Sequence, residues 1–190
     1  DMRPNDRIKE AQKVLESEAN AIYASSKKIG LSFSKCVDLI INCKGKVVIS
    51  GMGKSGNIGK KITSTFVSLG TPSIFLNTTD AFHGDLGILR KNDLLILISN
   101  SGETDELVRL LNYANINSIK SIAITGKPDS TLNKKANSFL NAFVENEACP
   151  LNLAPTCSTS VTMALGDALA SICAMEMGFK EIDFARFHPS

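Results

Sequence analysis

Val47-Val48-Ile49-Ser50-Gly51-Met52-Gly53-Lys54-Ser55-Gly56 passes within ten residues from an apolar, β-branched run to a glycine-spaced turn. Beyond it, Ile58, Ile62, Thr65, Phe66 and Leu69 recur at helical spacing. A strand, a tight turn and a helix therefore follow one another without a linker. The pattern repeats downstream. Short apolar runs at Ser73–Leu76, Leu94–Ile98, Ser121–Ile124 and Phe139–Val144 alternate with helical faces such as Leu107, Leu110, Leu111 and Ala114. Runs apolar on both faces suit strands covered on both sides, and parallel neighbours need a crossover whose helix provides the cover. The chain is predicted to be α/β, a doubly wound five-stranded parallel sheet in a three-layer, flavodoxin-like arrangement.

Outward from that frame, Ile8, Ala11, Leu15, Ala19 and Ile22, then Phe33, Val37, Ile40 and Ile41, predict two amphipathic helices ahead of the first strand. Val161, Leu165, Ala168, Leu169 and Ile172 predict a long last helix, followed by a tail from Glu181 to Ser190. No repeat or linker divides the chain, so residues 1–190 read as one domain.

Composition narrows the function. The 190 residues are 43% hydrophobic and 21% charged, with a net charge of +2, which excludes disorder and coiled coil. No stretch interleaves Lys and Arg with aromatics as a nucleic-acid surface does. The longest strictly apolar strings run about five residues, far short of the roughly 20 that span a bilayer. Five cysteines in scattered contexts, with no Cys-x-x-Cys pair, read as reduced thiols rather than disulfides or a zinc site. With no signal-peptide pattern at the start, the expected compartment is the cytoplasm.

In a doubly wound sheet, ligands sit beyond the carboxyl ends of the strands, so chemistry belongs in the loops there. Gly51-Met52-Gly53-Lys54-Ser55-Gly56 has G-x-G-x-x-G spacing. A dinucleotide site also needs an acid at the end of the second strand, and Asn77-Thr78-Thr79 stands there instead. What remains is backbone N–H groups with Gly53, Lys54 and Ser55 at a helix N-terminus, suited to a phosphate; the alternative is a tight turn with an exposed lysine. Ser99-Asn100-Ser101-Gly102-Glu103-Thr104 puts three hydroxyls, an amide and a glycine before another helix, enough short donors to surround a phosphate dianion. Its competing reading is helix capping, with Asn100 as N-cap and Glu103 three residues on.

Glu106 falls in the first helical turn, where an acid is favoured whatever its function. Glu147 opens a loop containing Pro150 and Pro155, where it is either part of a site or a solvated acid. The only histidines, His83 and His188, lie in loop-like sequence and are either surface residues or proton carriers.

Together, the Gly51–Gly56 turn, His83-Gly84-Asp85-Leu86-Gly87, Ser99–Thr104, Glu147-Ala148-Cys149-Pro150-Leu151-Asn152-Leu153-Ala154-Pro155-Thr156, Gly166-Asp167-Ala168-Leu169-Ala170 and the closing Phe184–Pro189 resemble one family, in the same order, from about Glu10 to Pro189. The chain is similar to the sugar isomerase (SIS) domains, and among them to the arabinose-5-phosphate isomerases. The resemblance implies a homotetramer that interconverts ribulose 5-phosphate and arabinose 5-phosphate through an enediol. The product would feed the synthesis of Kdo, the acidic sugar of lipopolysaccharide and capsule. It places phosphate binding on Ser99, Asn100, Ser101 and Thr104 with Gly53 and Ser55, and catalysis on Lys54, His83, Glu106, Glu147 and His188. The reaction needs no redox cofactor and no metal. Many members continue into paired CBS modules, which are not in this sequence, so the end product CMP-Kdo is expected to inhibit at the active site instead. The alternatives are an isomerase of a hexulose or sedoheptulose phosphate, or a sugar-phosphate sensor that keeps the hydroxyl loop without the Lys, Glu and His set.

Overall fold

A computed structural model describes all of residues 1–190. Five parallel strands, β1 (Val47–Gly51), β2 (Ser73–Phe75), β3 (Leu94–Ser99), β4 (Lys120–Thr125) and β5 (Ser138–Asn141), lie in the order β2-β1-β3-β4-β5. This is the flavodoxin-like order, whose switch point falls between β1 and β3. Around the sheet are α1 (Pro4–Ser26), α2 (Leu31–Ile41), α3 (Gly53–Ser68), α4 (Thr78–Ala81), α5 (Asp105–Ile116), α6 (Thr131–Lys135), α7 (Cys157–Glu176) and α8 (Glu181–Phe187).

Alternation along the strands divides the core into two layers. Val47, Ile49, Ile96, Ile98, Ile122 and Ile124 pack towards α2, α3 and α7, where Ile62, Phe66, Val161 and Leu169 are buried. Val48, Leu95, Leu97 and Ala123 face Leu107, Leu110, Leu111 and Leu132 of α5 and α6. β1 and β3 are buried at every position, as predicted for strands covered on both sides. The apolar composition of α7 would by itself suit a bilayer crossing; here it is a core helix, half buried and packed on α1, α2 and α3. All five cysteines are free, and Cys36, Cys157 and Cys173 are buried.

Three expectations shift. The apolar run predicts a fifth strand over Phe139–Val144, but β5 ends at Asn141, whose side-chain oxygen accepts the Phe143 N–H at 3.0 Å and turns the chain out of the sheet. The tail folds into α8. The apolar stripe of α1 is the third: the helix forms and packs on α7, yet Ile8, Leu15 and Ile22 remain exposed, Leu15 by 68%. The face of α1 turned to the rest of the chain carries Val14, Glu18, Ala21 and Ser25 instead.

Candidate functional site

The β1–α3 turn is made by two glycines in close approach and one in the left-handed region. A Cβ on Gly56 would stand 2.8 Å from the Gly51 carbonyl oxygen, so the helix springs directly off the strand only because neither residue has a side chain. Gly53 has φ +58° and starts α3. Met52 provides no side-chain cap, and Lys54 and Ser55 lie in the first turn, whose N–H groups lack helical acceptors. Lys54 is exposed, with no acid paired to it.

Across the switch point, the Ser99–Thr104 loop is closed on itself. Ser99 is 3% exposed. Its Oγ accepts the Gly102 N–H at 2.9 Å and lies 2.8 Å from Thr104 Oγ1 and 3.4 Å from Ser101 Oγ, while Ser101 Oγ accepts the Glu103 N–H at 3.1 Å. Ser99 is thus the buried hub of the loop, and Asn100 and Ser101 are the members open to solvent. The capping reading of Asn100 and Glu103 fails, because α5 begins at Asp105 with Thr104 as its N-cap. Glu103 turns away from α5 and grips α6, accepting the Thr131 N–H at 2.5 Å and the Thr131 hydroxyl at 2.8 Å. These two bonds hold its carboxyl below the ordinary carboxylate range. Leu132 N–H donates to the Gly102 carbonyl at 3.1 Å, and Gly126 N–H to that of Asn100 at 3.0 Å. Gly102 has φ +68°, and any Cβ there would collide with Ser130. α6 is therefore a buttress under the hydroxyl loop.

Glu147 is neither free nor solvated. Its Oε1 accepts the Thr156 and Ser158 N–H groups at 3.1 and 2.9 Å, and its Oε2 accepts the Ser158 hydroxyl at 2.5 Å, so it caps α7 from outside the helix. Burial raises its pKa, but the Ser158 hydroxyl and the Ser158 and Thr156 N–H groups together outweigh burial, leaving it below the ordinary value. Oε2 keeps a lone pair beyond the one Ser158 uses. Glu106, in the first turn of α5, is half-buried, and no side chain is bonded to it.

A cleft of about 40 Å³ collects Lys54, Ser55, Asn100, Gly126, Ser158 and Thr159 from four elements. On the other side of Lys54, a hollow of about 460 Å³ is lined by Asn57, Lys60, Phe75, Asn77 and Thr79. His83 follows α4 six residues after Asn77, exposed and without a side-chain partner. Sequence reasoning overlooked Gly126, Ser158 and Thr159; the run Thr156-Cys157-Ser158-Thr159-Ser160 after Pro155, a third hydroxyl-rich helix start, was the available signal.

His188 is not brought to this cleft. Its Nδ1 lies 2.8 Å from the Phe184 carbonyl oxygen and its ring stacks on Phe184, while the adjacent Phe187 stacks on Phe179. Phe179 covers Gly70, just past the C-terminal end of α3. α3 has 16 residues, a length of about 24 Å, and Lys54 is at its other end.

Comparison with known proteins matches this arrangement. A family model described as the SIS domain covers residues 39–172. The chain is 50% identical over 186 residues to a probable arabinose 5-phosphate isomerase of Haemophilus influenzae, covering 96% of this chain and 54% of that protein. It is 47% identical over 184 residues to the arabinose 5-phosphate isomerase KdsD of Pseudomonas aeruginosa, covering 97% of this chain and 56% of that protein. The chain spans about half the length of these curated relatives. The solved structure of E. coli CFT073 c3406 in complex with arabinose 5-phosphate superposes with a TM-score of 0.94 at 37% identity, covering 99% of this chain and all of that one. With the glycine turn, the hydroxyl loop and the α7 N-terminus gathered at the β1/β3 switch point, the chain belongs to the SIS-domain family.

Proposed function

We propose that the chain is an aldose–ketose isomerase interconverting ribulose 5-phosphate and arabinose 5-phosphate. The observation that carries this reading is the convergence of Lys54, Ser55, Asn100 and Ser158 on one cleft beside the closed hydroxyl loop. Lys54 stands there among phosphate donors, and Glu147 is bonded to Ser158 of the same cleft. The relatives named as arabinose 5-phosphate isomerases and the neighbour bound to arabinose 5-phosphate support the choice of sugar over a hexulose or sedoheptulose phosphate. The Lys, Glu and His set favours an enzyme over a sensor, which needs only the phosphate donors.

In this mechanism Ser101, Thr104, Asn100 and Ser55 hold the phosphate with the first-turn N–H groups of α3, while Ser99 fixes the loop. Glu147 takes the C1 proton of the ketose at the spare lone pair of Oε2. The electrons left behind form the enediolate, whose negative oxygen Lys54 stabilises. His188 moves the proton between O1 and O2, a proton returns to C2, and the aldose results. Glu106 and His83 orient the sugar hydroxyls. The exposed stripe of α1 and the exposed Ile182, Phe184 and Phe187 support a homotetramer in which copies cover one another. We assign the protein to the cytoplasm and its product to Kdo synthesis, with CMP-Kdo binding the same loops as a competitive inhibitor.

Proton NMR with ribulose 5-phosphate in deuterated water tests the reading. Arabinose 5-phosphate carrying deuterium at carbon 2 is expected; phosphosugar binding without conversion would overturn the isomerase in favour of the sensor. The buttress adds a second expectation. Glu103→Ala frees the loop from α6 without touching the reacting carbons, so KM should rise several-fold while kcat changes little. A fall in kcat at unchanged KM would contradict it.

A further inference from the structure

At the amino ends of β3 and β4, opposite the site described above, a cavity of about 530 Å³ lies between α2, the α2–β1 connection, the turn before β3 and the turn before β4. Lys35 of α2, Lys44 of the α2–β1 connection, Lys91 of the turn before β3 and Lys120, the first residue of β4, stand around it. None of the four forms an ion pair. The acids nearby do not neutralise them. Asp93 is 6% exposed and already occupied, accepting from the Lys46 N–H at 2.9 Å, Lys46 Nζ at 2.7 Å and the Arg90 N–H at 2.8 Å. Asp38 alone remains without such partners, so the cavity's lining is net positive.

Its walls are built rather than loose. Gly45 N–H donates to the Asn92 carbonyl at 2.9 Å, and the Cys43 thiol reaches the same oxygen at 3.4 Å, tying the segment bearing Lys44 to the one bearing Lys91. A side chain at Gly45 would collide with Asp93. Leu39 and Cys43, both half-buried, give the cavity an apolar floor. Four lysines that line one hollow without acid partners give it a positive potential that draws an anion. The cations are all ammonium groups, each a compact point charge with three donors that can serve phosphate oxygens. The volume is that of a small-metabolite site.

We propose that this amino-edge cavity binds a small organic polyphosphate, its phosphates among Lys35, Lys44, Lys91 and Lys120 and its apolar body over Leu39 and Cys43. The site is separate from the hydroxyl loop. β3 runs six residues, about 20 Å, from Leu94 at the cavity to Ser99 at the loop. The assignment stands independently of the isomerase reading, since binding is measured without turnover.

Calorimetric titration of the full chain with ADP and with pyrophosphate, at low and high salt, tests it. ADP is expected to bind more tightly than pyrophosphate, because only ADP uses the floor, and both should weaken with salt. The double variant Lys44→Gln/Lys91→Gln should bind ADP at least tenfold more weakly while its circular dichroism and thermal melting are unchanged, which shows that it is folded. Absence of ADP binding, or equal binding by the double variant, would overturn the proposal; equal affinity for the two anions would overturn the part assigned to the apolar floor.

Discussion

Glu147→Gln will lower kcat by about 10²- to 10⁴-fold while leaving the fold nearly as stable as before, and Glu147→Ala will lower both. The difference lies in how Glu147 is held. A glutamine in the same place keeps a carbonyl oxygen for the Thr156 and Ser158 N–H groups, and its NH2 faces a Ser158 hydroxyl that can turn to accept. Only the negative charge at the helix N-terminus is lost, worth about 0.3–1 kcal/mol. Alanine removes the cap altogether, at a cost of about 1–2 kcal/mol. In the proposed mechanism neither variant can take a proton from carbon 1. Thermal melting and turnover measured on both variants separate the cap from the base. Because the carboxyl is held below its ordinary value in the fold, its stabilising contribution is complete above the unfolded pKa and is lost as pH falls through the lowered one. Melting curves of Glu147→Gln should lack that acid-side component. Glu106→Gln, which has no such network around it, should slow exchange at carbon 2 without abolishing it. Deuterium incorporation surviving intact in Glu147→Gln would transfer the base to Glu106.

Much of this is written locally in the sequence. β1 and β3 are continuous apolar runs, and burial on both faces is what such runs require. The hydroxyl loop is legible because its donors are contiguous, and β3 delivers all of them to one spot. The roles set by distant partners are not legible. Glu147 finds its donors nine and eleven residues later, and Glu103 finds Thr131 twenty-eight residues away, so no spacing rule reports either cap. Glu103 even carries the local signature of a capping box that the chain does not make, because Thr104 takes the N-cap position first. The end of β5 departs from its pattern for a smaller reason. Asn141 competes for a backbone N–H that the apolar pattern assigns to the sheet. The stripe of α1 is amphipathic as its spacing predicts, but periodicity says only that a face must be covered, never by what.

That uncovered surface and the position of His188 lead to the same expectation: activity will return when two inactive variants are mixed. Lys54→Ala and His188→Ala chains should each be nearly inert, since in the proposed mechanism one loses the stabiliser of the enediolate and the other the group that moves the oxygen-bound proton. Within one chain the two side chains belong to opposite ends of α3, and His188 is held there by the stacking of Phe187 on Phe179 over Gly70. A site that uses both must take His188 from another copy. α8 is suited to that, because Ile182, Phe184 and Phe187 are exposed alongside it, Ile182 by 77%, and offer an apolar face for a neighbour. In oligomers reassembled from equal amounts of the two variants, a site draws its lysine from one chain and its histidine from another. About a quarter of the sites would then combine intact groups, with recovered activity near that fraction of wild type if every site is shared in this symmetric way. The measurement is turnover after dissociation and reassembly, with mixed oligomers verified by differently tagged chains. Verified mixed oligomers that stay inert would overturn the sharing and place the Lys54 and His188 of one site in the same subunit.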